Sequence, residues 1–167
     1  ANSEARHRAV IQSMQDAHVV ADADRRILAF NPAAERIFGY AASEVIGAPV
    51  SRLLPEASRE NHARQYAQYE AGGGRNVVNQ VRELHARRKS GEVFSIDMML
   101  SAFKVDGEQL FSAVIRDISS RKAMEQQLLR AQKLEAVGQL AAGIAHEINT
   151  PTQYVGDNIR FLKDSFR

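Results

Sequence analysis

The chain has 167 residues, 44% of them hydrophobic and 25% charged, with a formal net charge of +2 and no cysteine. This is enough for one folded domain with a helical appendage, and the composition excludes a disordered chain. The missing cysteines exclude disulfides, thiolate metal sites and photochemistry through a cysteinyl adduct; the scattered basic residues make no nucleic-acid patch, and no apolar run reaches the ~20 residues of a membrane span.

Residues 1–16 read as a short helix with Val10, Ile11 and Met14 on one side. The periodicity then shortens: A-H-V-V-A-D from Ala17 and R-I-L-A-F to Phe30 are two strands joined by a polar turn, Asp22 to Arg25. Asn31-Pro32 begins a helix, with Asn as N-cap, Pro at the first helical position, Ile37 and Phe38 facing inward and Gly39 ending it. Ser43 caps a further short turn closed at Gly47, and Arg52 to Leu54 form a brief turn before Pro55. A helix from Ser58 or Arg59 to Ala71 sets His62, Tyr66 and Tyr69 on one face and stops at Gly72-Gly73-Gly74. Three strands follow, Asn76 to Arg87, Glu92 to Phe103 and Gln109 to Ser119, with turns at Lys89-Ser90-Gly91 and Asp106-Gly107. Phe94, Ile96, Met98 and Leu100 alternate with polar residues, so one face of the sheet is core.

From Ser120 the helical period takes over. Met124, Leu128 and Ala131 form one apolar run, and Leu134, Val137, Ala141, Ile144 and Ile148 form a second, one residue out of phase with the first. Within the second run His146 and Thr150 lie one turn apart, with Glu147 beside them at the wet edge of a partner-seeking helix. Pro151 has no N–H for the carbonyl of Glu147, so the helix is expected to kink or loosen there. A neutral imidazole in this setting is a competent nucleophile.

Two strands, short helices, a longer helix and three strands resemble the PAS sensor domain, and the likeness covers Ala9 to about Arg121. It is carried by Asn31-Pro32-Ala33, Phe38-Gly39-Tyr40, Glu44-Val45-Ile46-Gly47, Arg87 to Gly91 and Arg116-Asp117-Ile118-Ser119. The resemblance implies an α+β fold: a five-stranded antiparallel sheet with helices on one face, followed by a long coiled-coil-type helix. It also implies that Asp117 couples the sheet to that helix. PAS domains bind haem, flavins, small acids or nothing, so the fold alone names no ligand.

H-E-I-N-T-P, within Gln132 to Arg160, resembles the H-box of sensor histidine kinases. By that resemblance His146 accepts a phosphoryl group from ATP, Glu147 assists proton transfer and Thr150 positions the phosphoryl chemistry, with Asn149 accessory. The implied organisation is an N-terminal helix (1–16), a PAS domain (17–119), a signalling linker (120–133) and a partial dimerisation and phosphoacceptor domain (134–167). The implied partners are a second copy of the chain and a response regulator. The ATP- and magnesium-binding domain of such kinases does not follow within these residues, so this segment is expected to be inactive alone; with no apolar run of spanning length and no visible signal peptide, it is expected to be cytoplasmic.

Pro55 to Tyr69 resembles the corresponding helix of rhizobial oxygen-sensing haem PAS kinases. That resemblance makes His62 the haem-iron ligand and Arg82 the distal arginine, with Tyr69, Val77, Met98 and Leu100 in the pocket. The segment departs from the pattern where Gln68 replaces an arginine, Gln65 a tyrosine and Ala57-Ser58 a Pro-Tyr pair. The alternative reading is an interaction module whose pocket is empty or holds a small organic ligand, with His62 structural. His7, His18 and His85 have no metal-ligand spacing among them and read as surface or incidental.

Overall fold

The computed structural model describes the backbone of residues 2–72 and 78–165, and the side chains of residues 6, 9–69, 71–72 and 78–144. It divides into two compact units, Ala1–Lys122 and Ala123–Arg167.

The first unit opens with α1 (Asn2–Ser13), then β1 (Ala17–Asp22) and β2 (Ile27–Phe30). Helices α2 (Pro32–Phe38) and α3 (Ala42–Val45), a 3-10 turn (Val50–Leu53) and α4 (Glu56–Glu70) follow. The chain returns through β3 (Val81–Arg87), β4 (Val93–Val105) and β5 (Glu108–Asp117). The strands form one antiparallel sheet in the order β2-β1-β5-β4-β3, so the first strand lies beside the last at its centre. This closure brings segments nearly a hundred residues apart to one surface.

Asn31 organises the start of the fold. It is the buried polar side chain among the described residues, 5% exposed, and it uses its full hydrogen-bonding capacity. Its Oδ1 accepts from the backbone N–H of His18 and of Ala34, each at 2.9 Å, while Nδ2 donates to the carbonyls of Ile11 and Asp16, both at 3.2 Å. One side chain therefore caps α2, fixes β1 and holds the approach from α1. Pro32 occupies the first helical turn of α2, and Gly39 ends the helix at φ 77°, a left-handed conformation open to glycine.

The core lies between α2, α3 and the concave face of the sheet. Phe38, Ile27 and Val45 are its largest fully buried side chains, and Phe38 meets Phe94 edge-on at 5.7 Å and Phe30 at 6.0 Å. Phe94, Ile96, Met98 and Leu100 line one face of β4, as their alternation predicts.

Several boundaries differ from the sequence expectation. Helix α1 ends before Met14. Helix α3 begins at Ala42 after Ala41, whose N–H is taken by the Glu44 carboxylate at 2.8 Å, so Glu44 rather than Ser43 secures that end. Helix α4 starts at Glu56, because Pro55 lacks only an N–H that a helix start leaves unused. Strand β3 starts at Val81 rather than Asn76: Asn79 has φ 62°, which breaks the strand, although its N–H still reaches the carbonyl of Leu100 at 2.7 Å. Asp106-Gly107 forms the tight β4–β5 turn with positive φ at both residues, as that dipeptide predicts.

Helix α5 runs from Ser119 to Ser165 as one continuous element, so Pro151 does not terminate it. From Ala123 to Ile144 its described apolar side chains, including Met124, Leu128, Leu134, Val137 and Ile144, are exposed in the single chain. Among the described residues no helix is long and apolar enough to cross a membrane.

Replacing Asn31 by Ala is expected to cost about 2–3 kcal/mol, because it removes a helix cap and leaves buried backbone groups without partners. Urea unfolding of the two proteins by circular dichroism measures the difference.

Candidate functional site

A cavity of about 160 Å³ lies between α4 and the concave face of the sheet. Its walls are mostly apolar: Val19, Ala21, Leu53, Leu84, Ile96, Met98, Leu100, Phe111 and Ile115 contribute from the core side. From α4 come His62, Gln65, Tyr66 and Tyr69, spaced so that one helical face looks into the space.

Two tyrosines lace α4 to the sheet. Tyr66 and Tyr69 each meet the Phe111 ring edge-on at 5.4 Å, and the Tyr66 hydroxyl donates to the carbonyl of Ala23. Across the cavity, Arg82 of β3 donates from Nη1 to Gln65 Oε1 at 3.3 Å. Arg25, in the β1–β2 turn, also lines the cavity, with its guanidinium carbon 5.1 Å from the centre of the Tyr66 ring.

His62 is half-buried, and its pKa is lowered from 6.5, first by desolvation and then by the positive charge of Arg25. The shift favours the neutral imidazole at physiological pH, in which one ring nitrogen has a lone pair available to a metal and the other carries N–H.

The sequence-derived pocket residues divide as follows. His62, Arg82, Tyr69, Met98 and Leu100 all line this one cavity, whereas Val77 lies outside the described residues. Sequence reasoning passed over Arg25, Asp22 and Phe111. Arg25 sits in a turn whose closure over α4 leaves no local pattern. Of the histidines read as surface or incidental, His18 is half-buried on the sheet, with Nε2 2.7 Å from Ser112 Oγ, and burial lowers its pKa, while His85 is among the residues lining the cavity. The side chains of His146, Glu147 and Thr150 lie outside the described residues, and their backbone is part of α5.

The chemistry of the donor set can be tested against haem. Among the described residues no three His, Cys, Asp or Glu side chains come together, so an ion held by protein ligands alone is not provided for. A tetrapyrrole iron needs one imidazole in an apolar cup; His62 and His85 both line this cavity, with Arg25 and Arg82 among its polar groups, and in that respect the residues fit. The volume is nearer to one aromatic ring, since an engineered cavity of about 150 Å³ accepts benzene. A macrocycle would need α4 to move away from Phe111.

A second arrangement ties the sheet to the base of α5. Arg88 lies over the Phe94 ring at 3.7 Å, donates to the carbonyl of Ile37, and pairs with Glu92 at 3.0 Å and Asp117 at 2.6 Å. Asp117 in turn accepts from the N–H of Ser119 at 2.9 Å, the first residue of α5. Burial alone would raise the Asp117 pKa, but the bonds from Ser119 and Arg88 outweigh it and hold the carboxyl low. Arg121 pairs with Asp97 at 3.2 Å and Lys122 with Glu83 at 2.7 Å, so the first turn of α5 also grips β4 and β3.

This fold places the chain in the PAS fold family, whose match spans residues 5–118. Sensor histidine kinase TmoS of Ectopseudomonas mendocina is similar, 29% identical over 165 residues, covering 93% of this chain and 17% of that protein. Sensor protein FixL of Bradyrhizobium diazoefficiens is 27% identical over 167 residues, covering 96% of this chain and 32% of that protein. Oxygen sensor protein DosP of Escherichia coli is 32% identical over 119 residues, 71% of this chain and 15% of that protein. The crystal structure of the PAS domain of an HTR-like protein from Haloarcula marismortui matches with a TM-score of 0.57 at 26% identity, over 70% of this chain and 93% of that one. The chain thus spans a third or less of the length of these three curated relatives.

The unfolded chain binds a proton at His62 near pH 6.5 and the folded chain only at lower pH, so stability falls as pH drops below 6.5. His18 contributes with the same sign. Denaturant midpoints from pH 7.5 to 5 are expected to fall less steeply in His62→Gln; an unchanged slope would show that His62 is not held neutral.

Proposed function

We propose that this chain is the sensory and dimerising portion of a two-component sensor histidine kinase, in which the state of the cavity controls phosphorylation of His146 and transfer to a response regulator. The observation that carries this reading is His62, neutral and facing an apolar cavity, in a chain that aligns over 96% of its length with a sensor protein. Glu147 assists proton transfer at His146, and Thr150 serves the phosphoryl chemistry in either direction. The exposed apolar residues of α5 support parallel pairing with a second copy, which would bury them.

The cofactor we assign to the cavity is haem. His62 would give its imidazole to the iron, Met98 and Leu100 would pack the macrocycle, and Tyr69 and Arg82 would complete the walls. Haem supplies a reversible site for oxygen or another diatomic gas. The residues themselves supply one neutral nitrogen, a dry cup and a polar group opposite. Displacement of α4 or of the sheet would reach α5 through Asp117, Asp97 and Glu83, and shift a pre-existing equilibrium of the helix.

The ring-sized volume favours a second reading, a PAS interaction module whose cavity takes a small organic ligand.

Two experiments test these assignments. After haem reconstitution, wild-type protein is expected to show a Soret band that shifts on reduction and on adding carbon monoxide, and that is lost in His62→Ala. A featureless wild-type spectrum would remove haem and leave the second reading. In the full-length kinase, His146→Gln is expected to abolish incorporation of labelled phosphate from ATP; retained phosphohistidine would sink the His146 assignment.

A further inference from the structure

The cavity holds more positive charge than its apolar walls account for. Arg25 and Arg82 both line it, and among the described residues neither has a carboxylate within ion-pair distance. The one acid in the lining, Asp22, gives an oxygen to the backbone N–H of Arg26 at 2.8 Å. Arg82 has only the neutral oxygen of Gln65, and Arg25 only the face of Tyr66. Two half-buried guanidiniums facing an apolar space without a counterion are an incomplete ion pair.

Arg25 carries a second mark. Its φ is 63°, in the left-handed region where Gly or Asn would sit without cost in a turn. The turn thus holds a bulky cation at a backbone position that disfavours it, with the guanidinium seated on Tyr66 at the edge of the cavity. The α4 residues that line the cavity, His62, Gln65, Tyr66 and Tyr69, bring no arginine or lysine into it.

We propose that Arg25 forms the anion-reading end of the cavity, and that its ligand is an amphipathic carboxylate whose apolar body lies in the cup while Arg25 takes the carboxylate. The inference rests on the reading of this cavity as a ligand site, but not on haem itself. A haem propionate and the carboxylate of a one-ring free acid share the required chemistry. A guanidinium binds either through two parallel N–H···O bonds.

The test separates these sources. Haemin and haemin dimethyl ester, whose propionates are neutralised, are titrated by absorption into wild type, Arg25→Asn and Arg25→Lys. Asparagine tolerates the left-handed backbone, so the turn keeps its shape. Wild type is expected to prefer haemin over the ester by about tenfold, from one charge-assisted contact. Arg25→Asn is expected to bring the haemin-to-ester ratio close to one, while Arg25→Lys keeps part of the preference. A haemin-to-ester ratio unchanged in Arg25→Asn overturns the proposal. Binding of neither porphyrin ends the haem assignment alone, and the decision then passes to benzoate and benzyl alcohol, read by thermal unfolding. Stabilisation of wild type by benzoate but not benzyl alcohol, lost in Arg25→Asn, upholds the carboxylate site; no benzoate effect, or one that survives the substitution, overturns it.

Discussion

Arg88 is the constraint on which the rest of this domain depends. A single guanidinium caps the last carbonyls of α2 through Ile37, covers the Phe94 ring, closes the β3–β4 hairpin through Glu92 and fixes Asp117 at the end of β5. Its planar fork can do this because it offers several donors in fixed directions, which an ammonium could not. Asp117 then turns the other oxygen to the N–H of Ser119. The end of the sheet, the inner helices and the start of α5 thereby share one electrostatic joint. At the opposite side Asn31 joins α1, β1 and α2 with neutral hydrogen bonds. Between these two polar fixings the core can leave a space unfilled without losing its register.

That space is bounded by unequal walls. The sheet side is continuous with the hydrophobic core and includes residues that are nearly inaccessible, such as Phe38, Ala86 and Ile96. The α4 side is amphiphilic and is held by aromatic edges, one tyrosine hydroxyl and the Gln65–Arg82 bond. Contacts of that kind are individually modest, so α4 is the wall best suited to respond to an occupant. The strands that would register such a response, β3, β4 and β5, are the ones that hold the first turn of α5.

Much of this was legible in the amino-acid order. Asn31-Pro32 announced a capped helix because cap chemistry is local, and Asp106-Gly107 announced a tight hairpin because few residues accept positive φ. The alternation from Phe94 to Leu100 marked the concave face for the same reason. What failed was non-local. Asn79 looked like part of a strand because nothing in the local sequence marks its left-handed φ of 62°, and its N–H still bonds Leu100, twenty-one residues away. Arg88 and Asp117 both lay in recognisable motifs, but nothing in either motif states that they pair. Of the cavity, the α4 face and the β4 face were visible through their periods, and His62 with Arg82 through resemblance. Arg25 was hidden because the hairpin that carries it meets Tyr66 only after the sheet has closed.

An internal hollow is also a store of free energy. At about 24 cal/mol per Å³, a fully enclosed void of 160 Å³ would correspond to roughly 4 kcal/mol, which is an upper bound for a cup that opens in part to solvent. That is a sizeable part of the 5–15 kcal/mol by which a domain of this size usually stands above its unfolded chain. A well-shaped occupant would recover much of it, and the same quantity is close to what is needed to invert a two-state population. The fold therefore leaves open a space whose occupation would stabilise it by up to that amount.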